Sequence, residues 1–495
     1  MPIMDEPTSL DPQIADSNSE KLVAANCYEG LVRIMADGTI GKGVATDWNI
    51  SDDGLTYTFK LRNNSHWAMF SGHKAVLGEN YEDTFDITVK AEDFKFGIER
   101  TLSEQTGSAD APLFSAVKSI STPDDFTIVF NLSYADDNFI YALTNPGAMP
   151  CDEEFFNLTN GKYGLDAKYL LCNGPFHVSK WTEKTSVKLA KNNEYNGESS
   201  VSPSSVTFYI NNDDSEVADK MNSVTYDVAF LSSSQFSSIE NKKDLNSVAV
   251  QNVTYSFIFN QNDNNYRNKN MRLAFCRSCD TSSLFDSQSD ISKADGIVPP
   301  SCKIGGEDYR NGNAAELLSY DETLAKKNFN DALLELGSSS VETTILCTEQ
   351  YEPFVKQMVQ KLQKTLGVKF VSTVKVVSES DLEAAVNDGN YSVAFYPFKA
   401  KSSFAGEIIE GFDQNNIFGY ESDVLSQKIR NIKNNSGSLE GERSAVADAE
   451  NYLVSEAVIM PVFYENSYFV TSKNTSGIYF YSSADNVCFI NAKKS

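Results

Sequence analysis

The chain has 495 residues, 41% of them hydrophobic and 12% aromatic, so it can bury more than one core and most of it is not disordered. It carries 42 Lys and Arg against 68 Asp and Glu, and its net charge of −26 makes nucleic acids and anionic membranes poor partners. The sequence has no run of about 18 apolar residues, so it predicts no transmembrane helix.

The first half of the chain predicts several strands and one clear helix. Apolar and polar residues alternate over Leu55–Leu61, directly after the turn-forming Ser51–Gly54, and again at Thr127–Leu132 and Val206–Ile210. Apolar residues follow helical spacing over Ala91–Leu102, where two acidic residues suit the first turn. Strands mixed with helices in no fixed order indicate a mixed α/β protein.

The second half of the chain predicts a βαβ arrangement. A helix at Tyr351–Leu366 is followed by a strand at Val368–Val377, a helix at Ser380–Asn387 and an apolar strand at Tyr391–Phe398. Parallel strands joined in this way have right-handed crossovers, and ligands bind at their carboxyl ends. The residues that follow Phe395 are therefore candidates for a binding site. Further amphipathic helices are predicted at Asp321–Leu336 and Gly441–Val454.

Catalytic motifs are nearly absent from the sequence. His66, His73 and His177 have no metal-ligand spacing, and there is no nucleophile elbow, phosphate loop or dinucleotide fingerprint. A hydrolase that uses carboxylates from separate parts of the sequence stays an open alternative, because 68 acidic residues always offer some carboxylate pair. The favoured interpretation is a solvated acidic surface. We therefore expect neither a metal nor a cofactor, and no enzyme.

The eight cysteines do not form the dense pattern of a disulfide scaffold, and their pairing cannot be deduced from sequence. Cys276 and Cys279 have the spacing of a redox pair, which would need the first thiol exposed at a helix N-terminus. Apolar residues precede them, which favours a position within a helix and a role as buried packing groups. The same interpretation applies to the other six.

Short motifs in a fixed order make nearly the whole chain resemble the extracellular solute-binding proteins of family 5, the oligopeptide and dipeptide-binding components of ABC importers. Each motif alone is weak, but so many in the family's order form a strong signal. The motifs are Glu6–Gln13, Tyr28–Arg33, Asp37–Gly38, Ala45–Arg62, Lys90–Phe94 with Glu99–Arg100, Asn173–Phe176, Asn260, Met271–Ala274, Ala294–Pro299 and Ala457–Val462.

The resemblance implies an α/β fold of the periplasmic-binding-protein type II class, with two lobes and an extra subdomain in the first. It places the discontinuous core of lobe I at residues 1–34, 174–252 and 464–495. The extra subdomain covers 35–173, and lobe II covers 253–463.

Two strands that cross between the lobes are expected near Thr254–Ser256 and Pro461–Phe463. The family encloses its ligand between lobes that close by hinge bending, and delivers it to permease subunits in the membrane. Its members usually take peptides, and some take nickel complexes, oligosaccharides or other small solutes.

The expected protein is thus a monomeric binding protein for a peptide or related solute. It acts outside the cell or in the periplasm, and is lipid-anchored through a segment absent from this sequence. Three alternatives stay open: a secreted hydrolase of peptides or glycans, an oligosaccharide-binding protein of the same fold, and a sensor that presents its ligand to a receptor.

One side of the expected binding site is the segment Tyr28–Leu31, hereafter the Tyr28 segment. Peptide ligands of the family pair with protein backbone as an added strand, and Gly30 would let the backbone approach the ligand closely. Tyr28, Glu29, Gly30 and Leu31 are therefore candidate binding residues, together with Tyr255 in a crossing strand. The alternative is that Tyr28 and Leu31 are ordinary core residues and that Glu29 and Gly30 form an ordinary turn.

The other side of the expected site follows the last βαβ strand, where peptide-binding relatives carry a Trp-x-Ala-Asp motif whose Asp receives the peptide ammonium. An ungapped alignment with this motif places Lys401 at the position of the Asp, and the positive charge of a Lys repels an ammonium. Either the N-terminus is recognised elsewhere, for example by Glu29 or Asp413, or the ligand presents an anion or no charge here. A solvated loop remains the alternative for Lys399 and Lys401. The candidate residues are Phe395, Tyr396, Pro397, Phe398, Lys399, Ala400 and Lys401.

Overall fold

A computed structural model describes residues 1–35, 40–136, 138–197, 200–281, 284–285, 290–399, 404–413, 416–435, 438–481 and 486–495. The chain divides into two compact units, the first comprising Met1–Ala249 with Tyr468–Ser495 and the second Val250–Ser467. The boundaries at 252/253 and 463/464 that the resemblance implies lie a few residues from these. The separate subdomain at 35–173 stays a prediction.

The strands are short except for two. In the first half of the chain they are β1 (Pro2–Ile3), β2 (Val32–Ile34), β3 (Ile40–Lys42), β4 (Ala45–Ile50), β5 (Thr56–Leu61), β6 (Val117–Asp124), β7 (Thr127–Leu132), β8 (Phe176–Thr182), β9 (Ser186–Lys191), β10 (Ser205–Ile210) and β11 (Val228–Ser232). Then follow β12 (Leu245–Phe259), β13 (Ile291–Lys293), β14 (Lys303–Ile304), β15 (Glu307–Asp308), β16 (Val341–Cys347), β17 (Phe370–Val376), β18 (Val393–Lys399), β19 (Ile459–Ser472), β20 (Thr475–Ser476), β21 (Tyr479–Tyr481), β22 (Asn486–Cys488) and β23 (Lys493–Lys494).

The longer helices lie mostly in the second unit. In chain order the helices are α1 (Asn18–Cys27), α2 (Lys74–Leu77), α3 (Tyr81–Thr84), α4 (Ala91–Leu102), α5 (Phe139–Ala142), α6 (Glu153–Leu158), α7 (Asp214–Asn222) and α8 (Ser233–Ser238). They continue with α9 (Asn264–Arg267), α10 (Lys269–Ser278), α11 (Glu322–Leu336), α12 (Glu352–Leu366), α13 (Glu379–Asn387), α14 (Gly406–Glu410), α15 (Asp423–Asn434) and α16 (Leu439–Ser455).

The first unit contains two four-stranded sheets, in the orders β1-β10-β9-β8 and β4-β5-β7-β6. The predicted helix at Ala91–Leu102 and strand at Thr127–Leu132 are confirmed at the same bounds, and the other two predicted strands shift by one residue at their start. The turn before β5 is closed by a bond of 2.8 Å from Gly54 N to Ser51 O. Gly54 has φ +68°, a left-handed conformation that favours glycine.

The second unit is built on a sheet in the order β19-β12-β18-β16-β17, with β13 paired to the outer side of β19. Strand β16 runs parallel to both β17 and β18, with Val341 opposite Phe370 and Ile345 opposite Val393. Helix α12 connects β16 to β17, and α13 connects β17 to β18, which confirms the predicted βαβ arrangement. The chain passes from one unit to the other within β12 and β19, which contain Thr254–Ser256 and Pro461–Phe463.

Successive side chains of β12 point to opposite faces of the sheet, and the core of the second unit therefore has two layers. Phe257 and Phe259 pack in the cluster formed with helices α10, α11 and α12, whereas Ile258 packs in the cluster formed with α13 to α16. Helix α11 begins where the Asp321 carboxylate accepts a bond of 2.9 Å from Leu324 N. It ends at Gly337, which has a left-handed φ of +64°. The sheet is therefore covered on both faces.

Candidate functional site

The Tyr28 segment follows helix α1, which begins at a capping box formed by Ser17 and Glu20. Tyr28, Glu29 and Leu31 are buried, with exposed fractions of 4%, 5% and 0%. The Tyr28 hydroxyl lies 3.3 Å from that of Tyr163. These side chains pack inside the first unit as core residues do.

The backbone of the Tyr28 segment is tied to its own unit. Glu29 N donates to Asn173 Oδ1 over 3.0 Å, and Asn173 Nδ2 donates to Glu29 O over 2.8 Å. Val44 N donates to Gly30 O over 2.8 Å. A Cβ at Gly30 would lie 3.0 Å from Val32 O and 3.1 Å from the carbonyl oxygen of Leu143, so internal packing alone already accounts for glycine here.

The Glu29 carboxylate forms an ion pair with Arg62, 33 positions along the chain. Tyr195 Oη donates to the other carboxylate oxygen over 3.1 Å, and Arg62 also donates to Gly43 O over 2.5 Å. Burial, with the nearby Glu29 charge, raises the pKa of Tyr195, which keeps this hydroxyl a donor. The charge of Glu29 is therefore compensated within the first unit.

A cavity of about 260 Å³ in the first unit borders three residues of the Tyr28 segment, namely Tyr28, Glu29 and Gly30. Apolar side chains such as Met35 and Ile490 line much of the rest. Leu31 is not among the residues that line it.

In the second unit, Tyr255 and Phe395 lie on one face of the sheet, where they join an aromatic cluster. The ring centroid of Tyr255 is 4.4 Å from that of Tyr351, 5.5 Å from that of Phe395 and 5.1 Å from that of Phe463. Phe354, in the first turn of α12, lies 5.2 Å from Phe463. Hereafter these five rings are the aromatic cluster.

The predicted run after Phe395 is divided between the two faces of the sheet, because side chains alternate along β18. Pro397 and Lys399 share a face with Phe395, and Pro397 stands opposite Tyr255 in the register of β12 and β18. Phe398 points to the other face, where its ring lies 5.7 Å from Phe412 and 5.8 Å from Phe418. Tyr396 shares that face, in contact with the same layer.

Ala400 and Lys401 lie outside the described residues, so their candidate role stays a prediction. Of the two carboxylates suggested as alternatives to the missing Asp, Glu29 is the partner of Arg62. Asp413 accepts a bond of 2.7 Å from Ser426 Oγ, in the first turn of α15.

The structure brings to the aromatic cluster a carboxylate that sequence reasoning missed, that of Glu465 on β19. It follows Phe463 by two positions and so lies on the same face of the sheet. Tyr351 Oη donates to Glu465 Oε1 over 2.5 Å, and the exposed Gln350 side chain donates to the same carboxylate. A single acidic residue after the apolar run Ile459–Tyr464 was the signal in the sequence.

Burial raises the pKa of Glu465, and the negative charge of Glu379 adds to this effect. The bonds from Tyr351 and Gln350 oppose it, as does the positive charge of Lys399. The hydrogen bonds to its carboxylate come from two neutral groups, the Tyr351 hydroxyl and the Gln350 amide. Its ionised form is therefore held by neutral donors, and a further cation placed beside it would be attracted.

The side chains of Cys276, Cys279 and His73 are buried. Cys276 lies in α10 and Cys279 follows its last residue, and burial raises the pKa of both thiols to about 12. Burial also lowers the pKa of His73 to about 4. Within the part of the chain that the structure describes, no group of three His, Cys, Asp or Glu side chains is arranged to hold a metal ion.

Comparison with models of protein families identifies the family of this chain. The model of the bacterial extracellular solute-binding proteins, family 5, matches residues 39–418, which is most of the chain. The chain belongs to this family. Across the described residues, no helix is long and apolar enough to span a membrane.

Individual relatives extend the match over nearly the full length. The dipeptide-binding protein DppE of Bacillus subtilis is 24% identical over 96% of this chain and 88% of its own. The oligopeptide-binding protein OppA of the same organism is 24% identical over 96% of this chain and 89% of its own.

Solved structures agree on the fold. Listeria monocytogenes OppA bound to peptide superposes with a TM-score of 0.77 at 21% identity, covering 100% of this chain and 98% of its own. The dipeptide-binding protein of Pseudoalteromonas sp. SM9913 in complex with Met-Leu gives a TM-score of 0.78 at 17% identity, covering 100% and 99%. The fold is thus that of type II periplasmic peptide-binding proteins, with 35% helix and 27% strand, which confirms the predicted fold class.

The protein is therefore a solute-binding component of an ABC importer, and family members of this kind act in the periplasm or outside the cell.

Proposed function

We propose that the chain captures peptides and delivers them to the permease subunits of its importer. The observation that carries this proposal is the near-complete match to two relatives named for dipeptide and oligopeptide binding. We further propose that the protein is a monomer tethered to the membrane by a lipid. Light scattering after size exclusion tests the first of these two properties, and labelling with a radioactive fatty acid in the native host tests the second.

The direct test of peptide capture is native mass spectrometry of the purified protein, before and after incubation with a peptide mixture. We expect co-purifying or captured peptides that are recovered with unchanged mass. Peptides shortened at a rate proportional to protein concentration would instead indicate a hydrolase. Captured oligosaccharide, with no peptide, would indicate the oligosaccharide-binding alternative.

Within this function, we propose that Glu465 receives the positive charge of the ligand's N-terminus, in place of the Asp whose position the resemblance assigns to Lys401. Three contacts support this role. The Glu465 carboxylate lies beside the exposed Gln350, it is held by the neutral donor Tyr351, and it lies near the predicted site residue Tyr255 of the aromatic cluster. Glu29 is less suited, because Arg62 already compensates its charge.

This role has a consequence for protons that calorimetry can detect. Because burial raises the pKa of Glu465, an arriving ammonium would lower it again and stabilise the ionised carboxylate. At mildly acidic pH, binding of a free-amine peptide should then release protons, and the measured enthalpy should depend on the ionisation enthalpy of the buffer. An N-acetylated peptide of the same sequence is the matched control and should show no such dependence.

A further inference from the structure

Two thiols of the first unit, those of Cys27 and Cys172, lie side by side although they are far apart in the sequence. Gly174 N donates to Cys27 O over 2.9 Å, so the two backbone segments are in direct contact. The thiols of Cys27 and Cys172 are both free and lie next to each other. Both are buried, with exposed fractions of 0% and 1%.

The close approach of the two segments is built into the sequence at Gly174. A Cβ at this position would lie 2.6 Å from both the carbonyl carbon of Cys27 and the amide nitrogen of Tyr28, closer than real Cβ atoms come. Asn173 adds the reciprocal pair of bonds to the Glu29 backbone, of 3.0 and 2.8 Å. The contact between the thiols therefore follows from a specifically packed pair of segments.

We propose that Cys27 and Cys172 form a disulfide in the exported protein. The family acts outside the cytoplasm, where disulfides form and persist. The bond would join the residue before the Tyr28 segment to the residue before Asn173. It would thus fix one of the candidate binding segments by a covalent link that closes a long loop, which restricts the unfolded chain.

The oxidant is a disulfide-bearing compound or oxidoreductase of that compartment. One protein thiolate attacks the oxidant's S–S bond, which forms a mixed disulfide and releases one thiol. The second protein thiolate then attacks the protein sulfur of the mixed disulfide and releases the second thiol. The protein dithiol loses two electrons and two protons, and the oxidant is reduced to two thiols.

Burial explains when this reaction takes place. In the folded protein, burial and the neighbouring Cys172 raise the pKa of the Cys27 thiol well above its ordinary value, so little thiolate is present. The bond must then form during folding, while both thiols are still accessible. The other cysteines lie beside different groups: Cys151 accepts a bond of 3.5 Å from Arg100, and Cys276 lies near Arg272 and Arg277.

The test is a thiol count on the wild-type chain, exported to a bacterial periplasm or refolded with a mixture of oxidised and reduced glutathione. The protein is denatured and alkylated without reductant, then reduced, alkylated with a second reagent and digested. We expect all but two of the eight cysteines to carry the first label, and a cross-linked peptide that joins Cys27 to Cys172. Eight thiols labelled before reduction, or a link between any other pair, would overturn the proposal.

Thermal unfolding with and without reductant gives a second readout. Reduction should lower the melting temperature of the wild-type protein by several degrees, and the same fall should appear in Cys276→Ser, the matched control. The double variant Cys27→Ser and Cys172→Ser should melt at one temperature whether reductant is present or not. If the double variant does not fold, the thiol count on the wild-type chain still decides the proposal.

Discussion

Glu29 in the first unit is buried and Glu465 in the second is half-buried, and they differ in what holds their charge. Glu29 has the Arg62 guanidinium and the Tyr195 hydroxyl as partners. Glu465 has a tyrosine hydroxyl and an amide, and its pKa is raised by burial. A buried carboxylate that is neutralised by a cation of its own unit anchors the fold, whereas one held by neutral donors can still attract a cation from a ligand.

Glu450, also in the second unit, shows how complete such an anchor can be. Its carboxylate is 1% exposed and pairs with Arg310, which is 8% exposed. It also accepts bonds from Ile297 N at 2.7 Å, Val298 N at 3.0 Å and Tyr309 Oη at 3.0 Å. Position inside a unit therefore does not by itself distinguish a structural carboxylate from a candidate binding carboxylate.

The largest effect is expected from Arg62→Met, which leaves Glu29 buried without its cation. We expect a loss of about 3–5 kcal/mol in the free energy of unfolding, measured by urea denaturation followed by circular dichroism. The control is Lys95→Met, which breaks the more exposed pair with Glu92 and should cost less than about 1 kcal/mol. Equal, small losses in both variants would show that the charge of Glu29 does not depend on Arg62 for compensation.

The next largest effect is expected on binding. Glu465→Gln should weaken the binding of a free-amine peptide by about 1.5–3 kcal/mol, the range for hydrogen bonds to charged groups. The binding of the N-acetylated form of the same peptide should be nearly unchanged. Isothermal titration calorimetry on the two peptides measures this. Glu379→Gln removes a nearby exposed charge and is the control, for which a much smaller change is expected. If the wild-type protein binds the acetylated peptide at least as well as the free amine, Glu465 does not receive the N-terminus.

That last outcome would instead indicate that the ligand presents an anion or no charge near Lys401. Lys401→Asp tests this residue directly, because it introduces the carboxylate that the resemblance predicts at this position. We expect the affinity for a free-amine peptide to rise by up to about tenfold, or 1.4 kcal/mol, relative to the acetylated form. An unchanged ratio of the two affinities would mean that residue 401 does not face the ligand's N-terminus.

The smallest effect is a pH-dependent difference in stability. Because burial raises the folded-state pKa of Glu465, this group's contribution to stability is present below its unfolded pKa, about 4.3, and is lost as the pH rises through the folded-state value. Glu465→Gln resembles the protonated form. At pH 7 we therefore expect it to be more stable than the wild-type protein, by about 1 kcal/mol or less.

This difference should shrink as the pH is lowered below about 4, where the wild-type carboxyl is protonated as well. Urea denaturation of both proteins across this range measures it. A difference that grows toward low pH would show that the pKa of Glu465 is lowered in the folded protein.

Much of the local structure was determined by the sequence itself. Helix α4 and strand β7 have the predicted bounds, and the βαβ order of β16 to β18 follows from periodicity, because both patterns depend on residues only a few positions apart. Ordered motifs also identified the family, which the match over residues 39–418 confirms.

Only the tertiary structure decided which side chains meet. Arg62 reaches Glu29 and Tyr351 reaches Glu465 across 33 and 114 positions, and nothing near either residue specifies its partner. The run after Phe395 was predicted as one site, but the pleat of β18 sends Phe398 to the opposite face from Pro397. The contact of Cys27 with Cys172 likewise depends on Gly174 meeting the end of α1. Such pairings are fixed by packing between distant segments, whereas local periodicity reports only which face of its own element a residue occupies.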